Sequence, residues 1–396
     1  MSLILFSLAL LGALLGGWLL WRRQAASPAP VRPVARTPRA AAGVQPGRAA
    51  AAAPAAPAKG LAAHTVLPAL PTDQAPDLPP DALTSFLWAE PAALATAQRQ
   101  ALQDAIRHIP RPPSTLHQLL SPQFLERANS QALSELISAE ARIAAKVLAT
   151  VNAPLYGLQR PVASIGQAVT FLGLNTVRSI CLRGLLDDSF PAADPALQQA
   201  SRVIWNASAL ASELCNRLSS KLGMPDAGAL VAQVLLSFLG HLASASLLAA
   251  QQAQPTGSLL ARTRQAQDLL GLGPAEIGGL LLREWGLPAS IADEVRAIDR
   301  LLVTPATQLA PADSQRQALA YLCARLGEHL ATGRNASAGS LAGLAAGLMA
   351  ADDSFHLRAH LAAPALARLP EYLQATDLTQ ALLAMQQGMQ GPPGHG

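Results

Sequence analysis

An all-α body is the fold class this sequence predicts, and three observations predict it. Alanine and leucine dominate the apolar residues, whereas aromatics make up only 4% of the 396 positions, a bias toward helix over sheet. From about Asp81 onward apolar residues recur every three or four positions. Proline, glycine, serine and asparagine interrupt that rhythm where helices start and stop. No convincing strand and no clear repeat interrupts the pattern.

The chain begins differently. Leu3 to Trp21, "LILFSLALLGALLGGWLLW", carries no charge and would extend about 28 Å as a helix, enough for a bilayer core. Trp18 and Trp21 read as interfacial anchors, and Arg22-Arg23 follow at once, placing the C-terminal side in the cytoplasm. A cleaved signal peptide is the rival reading, but no charge precedes the apolar run. Residues 1–23 are therefore expected to be a single-pass anchor in a bacterial inner membrane. Residues 24–80, rich in alanine and proline, have neither helical nor strand period and read as an extended disordered tether. A helical domain is expected over 81–390, then a flexible tail, "GPPGHG".

Within the body, Pro91 can open a helix running to Ile109, where Pro110, Pro112 and Pro113 stop it. Ser114 can cap "TLHQLL", and Ser130 can cap "QALSELISA". "ARIAAKVLATV" follows, then a break over Asn152–Pro161. Ser164 opens "IGQAVTFLG", and Asn175 opens "TVRSICLRGLL". Longer helices are expected at Pro195–Ser219, Asp226–Gln252, Gly257–Leu270, Pro274–Trp285, Pro288–Leu302 and Asp313–Ala331, with two or three more before the tail.

A pI near 9.3 invites a nucleic-acid reading, but the charge is misplaced for it. Residues 1–80 hold seven basic and two acidic side chains, leaving 22 basic against 23 acidic in the rest. No helix face is densely basic, so nucleic acid is not an expected partner. Cys181, Cys215 and Cys323 are odd in number, far apart and without histidines at ligand spacing, and each reads as a small buried hydrophobe. No phosphate-binding loop, dinucleotide fingerprint or nucleophile elbow is present.

Leu133–Arg178, "LSELISAEARIAAKVLATVNAPLYGLQRPVASIGQAVTFLGLNTVR", resembles the bacterial HDOD domain, a helical signalling module related to HD-type metal phosphohydrolases. The resemblance rests on Glu140, the run Asn152 to Gly157, Ser164, Leu172-Gly173 and Arg178. It continues through Trp205 with Ser208 and "EIGGLLLREWGLPASI", covering about Ile109 to Asp299. Asn152, Tyr156 and Gly157 also have plain structural readings. Asn152 and Gly157 suit left-handed turns, and Tyr156 suits a wedge with its hydroxyl outward.

The resemblance implies places for metal ligands, and other residues stand there. The histidine before Ser208 is Ala207, and the His-Asp pair falls on Ser237 and Phe238. A later histidine falls on Pro274, and a His-His pair falls on Ile298 and Asp299. His241, at the end of "VLLSFLGH", is left without an evident partner. His356 and His360 lie one helical turn apart with Asp353 before them. They lack the glutamate of the zinc-protease pattern, so a solvated helix face is the default reading.

A non-catalytic signalling or regulatory scaffold follows from these readings, tethered to the membrane and acting on other signalling proteins without metal or cofactor. Its contact surface is expected near Asn152–Arg160 and along Asn175–Arg183, where Arg160, Arg178 and Arg183 combine charge with loop exposure. The alternatives are a metal-dependent phosphohydrolase using His241, His356 and His360, and an envelope structural protein with its domain outside.

Overall fold

The computed structural model describes residues 78–389, apart from 154, 155, 157, 193 and 334–339. The expected anchor, the tether and tail, and Gly157 lie outside the described residues. Every described element is helical, with no strand among them. The α-helices are α1 (Asp81–Thr84), α2 (Thr96–Arg107), α3 (Thr115–Leu119), α4 (Pro122–Arg127), α5 (Ser130–Ser138) and α6 (Ala141–Val151). Then come α7 (Ile165–Leu172), α8 (Leu174–Leu186), α9 (Pro195–Lys221), α10 (Ala227–Ala249), α11 (Leu259–Leu270) and α12 (Pro274–Glu284). The last are α13 (Ala289–Arg300), α14 (Pro311–Thr332), α15 (Leu341–Ala350), α16 (Phe355–Leu361), α17 (Leu369–Leu373) and α18 (Thr376–Met389).

Local chemistry sets most boundaries. Asp194 caps α9 by accepting from the Ala196 and Leu197 amides, with Pro195 at the first helical position. Ser164 caps α7 through the Gln167 amide, as the sequence predicts. Other starts differ. Asn129, one residue before Ser130, caps α5, because its longer side chain reaches the Ala132 amide. Pro91 opens only a short 3₁₀ turn, Pro91–Ala93, since Leu94 and Ala95 are extended before α2 begins. Gly173 (φ 85°) starts α8, so Asn175 lies inside that helix. Among the described residues four α-helices, not two or three, follow α14.

Helix α10 is the centre of the body. Every residue from Leu230 to Ala245 is buried, so the helix is apolar on all sides rather than on one stripe. By length and composition it could cross a membrane, but 89% of its apolar window lies inside the protein. Ala232, Leu235, Leu236 and Leu239 enter one core with Leu133, Ile143 and Trp285. Val231, Val234 and Phe238 enter a second core with Leu214, Tyr321 and Leu326.

Small residues let the long helices cross closely. A Cβ on Gly240 would lie 2.1 Å from the Pro274 carbonyl oxygen, so α10 and α12 meet backbone to backbone. At Gly327 a Cβ would lie 2.6 Å from the Ala207 oxygen and 2.7 Å from the Ala211 Cβ, which brings α14 against α9. The three cysteines are free and buried, as expected.

Gly240→Ala should lower the unfolding free energy by about 1–3 kcal/mol, because backbone cannot yield as a side chain can. Gly347→Ala, in α15 with open space around it, should raise stability by roughly 0.5–1 kcal/mol. Thermal and urea denaturation of the two variants checks both signs.

Candidate functional site

Of the positions where the resemblance places ligands, Asp299 lies in a buried ion pair that joins α10, α13 and α14. Asp299, near the end of α13, is 2% exposed. Its Oδ2 lies 2.8 Å from His241 Nε2 on α10, and its Oδ1 accepts from Arg325 Nη2 on α14 at 2.9 Å. The His241 reading is thereby corrected: the side chain has a partner, 58 residues away in sequence. Arg325 continues the chain of charge to Glu328, with Nη1 at 3.0 Å from Oε2, and Arg262 of α11 donates to the other Glu328 oxygen. The Arg325 guanidinium also lies 5.4 Å over the Tyr321 ring, and the Tyr321 hydroxyl donates to the Asp353 carbonyl at 2.7 Å.

Burial alone would raise the Asp299 pKa. The charges of Arg325 and His241, with the His241 hydrogen bond, outweigh it and hold the carboxyl well below the usual carboxylate range. Glu328 is likewise lowered, because Arg262 and Arg325 outweigh its burial. Two carboxylates thus face two guanidiniums, with His241 beside Asp299.

This arrangement does not fit a metal. Phe238 is 1% exposed, with its ring centroid 6.0 Å from that of His241. The Ser237 hydroxyl donates back to the Val234 carbonyl at 2.8 Å. Ala207 and Ile298 are core, and Pro274 presses its carbonyl on Gly240. Both Asp299 oxygens are engaged, and the nearby guanidinium would oppose a dication. Among the described residues, no three His, Cys, Asp or Glu side chains converge as a ligand set.

Asp353, His356 and His360 do not share a solvated face. Asp353 lies in a 3₁₀ turn before α16, and its carboxylate accepts from the Ser258 hydroxyl and the Leu260 amide, each at 3.1 Å. His360 is 1% exposed; Nδ1 is 2.8 Å from the Ser314 hydroxyl and Nε2 is 2.8 Å from the Thr304 carbonyl. Burial lowers the pKa of both histidines, favouring neutral rings. Asp353 and His360 staple the C-terminal helices to α11, α14 and the Thr304 loop.

The expected contact residues separate. Asn152 ends α6 in a right-handed conformation (φ −81°), not a left-handed one. Its side chain donates to the Val162 carbonyl at 2.9 Å and accepts from the Val162 amide at 2.8 Å, which closes the loop between α6 and α7. Tyr156 is half-buried, and burial pushes its phenol pKa up beside Arg183 and Glu213. Arg183 lies 5.9 Å over the Trp205 ring, with burial lowering its pKa. Arg160 is exposed. Arg178, by contrast, is 2% exposed; its position in α8 faces inward against α4 and α10, so it forms no surface.

Glu276 is a second buried carboxylate, in the quoted "EIGG" motif. It accepts from Trp88 Nε1 at 2.9 Å and from Arg296 Nη1 at 2.6 Å. Arg325 was missed by sequence reasoning, though one signal existed: it is a lone arginine inside the otherwise uncharged run "ALAYLCARLG".

Arg325→Ala leaves Asp299 buried without its cation and should cost about 3–5 kcal/mol in urea unfolding, whereas Arg325→Met with Asp299→Leu should recover most of it. Because the folded Asp299 carboxyl is more acidic than the unfolded one, its contribution is complete above the unfolded value of ~3.9. That contribution drains as pH falls through the folded value. Asp299→Asn should therefore flatten the acid limb of stability between about pH 4 and 2.

The family comparison agrees with this geometry. Residues 109–301 match the model of the HDOD domain. No curated protein matches the chain. Among solved structures, one from Shewanella amazonensis SB2B, provisionally named a phosphohydrolase, is 18% identical with a TM-score of 0.48, covering 73% of this chain and 98% of that one. An HDOD domain protein with unknown function from Geobacter sulfurreducens is 15% identical with a TM-score of 0.48, covering 74% and 98%. A structure from Marinobacter aquaeolei VT8, provisionally named a signal transduction protein, is 18% identical with a TM-score of 0.45, covering 76% and 69%. At such identity these neighbours carry no argument about activity. The matched segment spans α3 through α13, including Asn152, Ser237, Phe238 and Asp299, and over residues 109–301 the chain is similar to the HDOD domain.

Proposed function

We propose that this protein is a non-catalytic HDOD regulator that works by binding other signalling proteins, held to a bacterial inner membrane by its N-terminal segment. One observation carries the non-catalytic reading. Asp299, standing at a position where the family resemblance places a ligand, is neutralised on both oxygens by Arg325 and His241. Phe238 beside it adds a ring with no donor atom.

The competing reading, a phosphohydrolase with an unorthodox histidine site, needs His241, His356 and His360 to act together. His360 has both ring nitrogens engaged elsewhere, which speaks against that set. Arg160, exposed in the loop between α6 and α7, remains the candidate contact residue, and Arg178 leaves that role.

Elemental analysis of the purified full-length protein should find no stoichiometric zinc, manganese or iron, and phosphodiester and phosphomonoester substrates should not turn over. Stoichiometric metal lost in His241→Ala would overturn the reading. In affinity capture from the native membrane, Arg160→Glu should lower partner recovery several-fold with an unchanged melting temperature. Reporter fusions after residue 80 should be active in the cytoplasm and silent in the periplasm; the reverse would move the domain outside.

A further inference from the structure

Arg178 is a buried cation without a counter-charge. Among the described residues no carboxylate pairs with it: Nη1 makes one long bond, 3.3 Å to Asn175 Oδ1, and Nε is buried with no partner. The guanidinium rests 5.6 Å over the Phe124 ring, a weak substitute for an anion. Burial lowers its pKa, and the Cys181 thiol is the one titratable group acting the other way.

The same guanidinium abuts the start of α10. A Cβ on Gly228 would lie 2.7 Å from Nη1 and 3.1 Å from Asn175 Oδ1, so glycine is what leaves room for the arginine there. Helix α10 begins uncapped. Asp226 at its N-cap is left-handed (φ 53°) and makes no side-chain cap bond, and the amides of Ala227, Gly228 and Ala229 have no partner among the described residues. A 23-residue helix puts a positive dipole end there. Two sources of positive potential thus meet in one place, beside an Asp226 side chain that caps no amide. Gly223, Pro225 and Asp226, just before this end of the helix, are exposed.

We infer that the junction of α8 with the N-terminus of α10 is a phosphoryl-binding site, in which Arg178 and the first-turn amides of α10 share one tetrahedral oxyanion. A phosphoryl group fits better than a carboxylate, because its oxygens point in enough directions to meet both the guanidinium fork and the helix end. The site lies apart from the Asp299 ion pair and does not depend on partner binding. The oxyanion comes either as free inorganic phosphate or on a nucleotide.

Equilibrium dialysis of the full-length protein against radiolabelled inorganic phosphate, at constant ionic strength in chloride, reads the site directly. Saturable binding at one equivalent is expected, with a matching rise in melting temperature. Both effects should vanish in Arg178→Met. Gly228→Ala is the second variant: alanine favours the helix, so the fold persists, while its methyl displaces Nη1 and binding weakens. A nucleoside monophosphate that competes more tightly than phosphate assigns the site to a nucleotide; equal or weaker competition assigns it to the free ion. Absence of saturable phosphate binding, equal binding of acetate, or undiminished binding in Arg178→Met would each overturn the inference.

Discussion

The Asp299 carboxylate is the constraint on which the centre of this structure depends. It stands on α13 and is held by a histidine from α10 and an arginine from α14, so one side chain fixes three helices. A charge this deep is tolerated only where its oxygens are fully occupied. Arg325 meets that demand and creates another, which Glu328 and then Arg262 of α11 satisfy. The network therefore grows outward from the buried acid until it reaches partly exposed groups. Such a network brings specificity of registry more than net stability, since apolar residues of the same shape could replace it.

Close packing is the second condition. The helices that carry His241 and Arg325 are also held tightly on their other sides, where Gly240 meets Pro274 and Gly327 meets Ala207 and Ala211. Gly240 lies one residue before His241, and Gly327 lies two after Arg325. Helix α10 is thus fixed against α12 by backbone contact and against α13 by the ion pair, and α14 is fixed against α9 and α13 in the same two ways.

Much of this was legible in the sequence, but unevenly. The helical period, the cap at Ser164 and the burial of α10 follow from local patterns, so short windows reveal them. Phe238 as core also follows, from an apolar run with no charge. The partner of His241 does not, because nothing local links it to Asp299, 58 residues on. Arg178 misled for a related reason. Charge in a sequence suggests exposure, yet its helix is buried on nearly every side, and only packing shows where the guanidinium ends. Asp353 and His360 read from the sequence as part of a solvated helix face. Tertiary contacts with Ser258, Leu260, Ser314 and Thr304 turned them inward.

The two buried arginines now separate what the protein has completed from what it has left open. Arg325 lies outside the matched segment 109–301, yet it occupies the carboxylate that segment presents. A guanidinium carries one charge, is attached to the chain and cannot polarise a water as a metal ion does. Its presence makes that carboxylate a fixed strut between α13 and α14. Arg178, inside the matched segment, has no such acid among the described residues, where its one hydrogen bond goes to Asn175. A chain that compensates one buried arginine with four charged or ionisable neighbours has the means to compensate another. That it leaves Arg178 beside an uncapped helix end is reason to look for the missing charge outside the polypeptide.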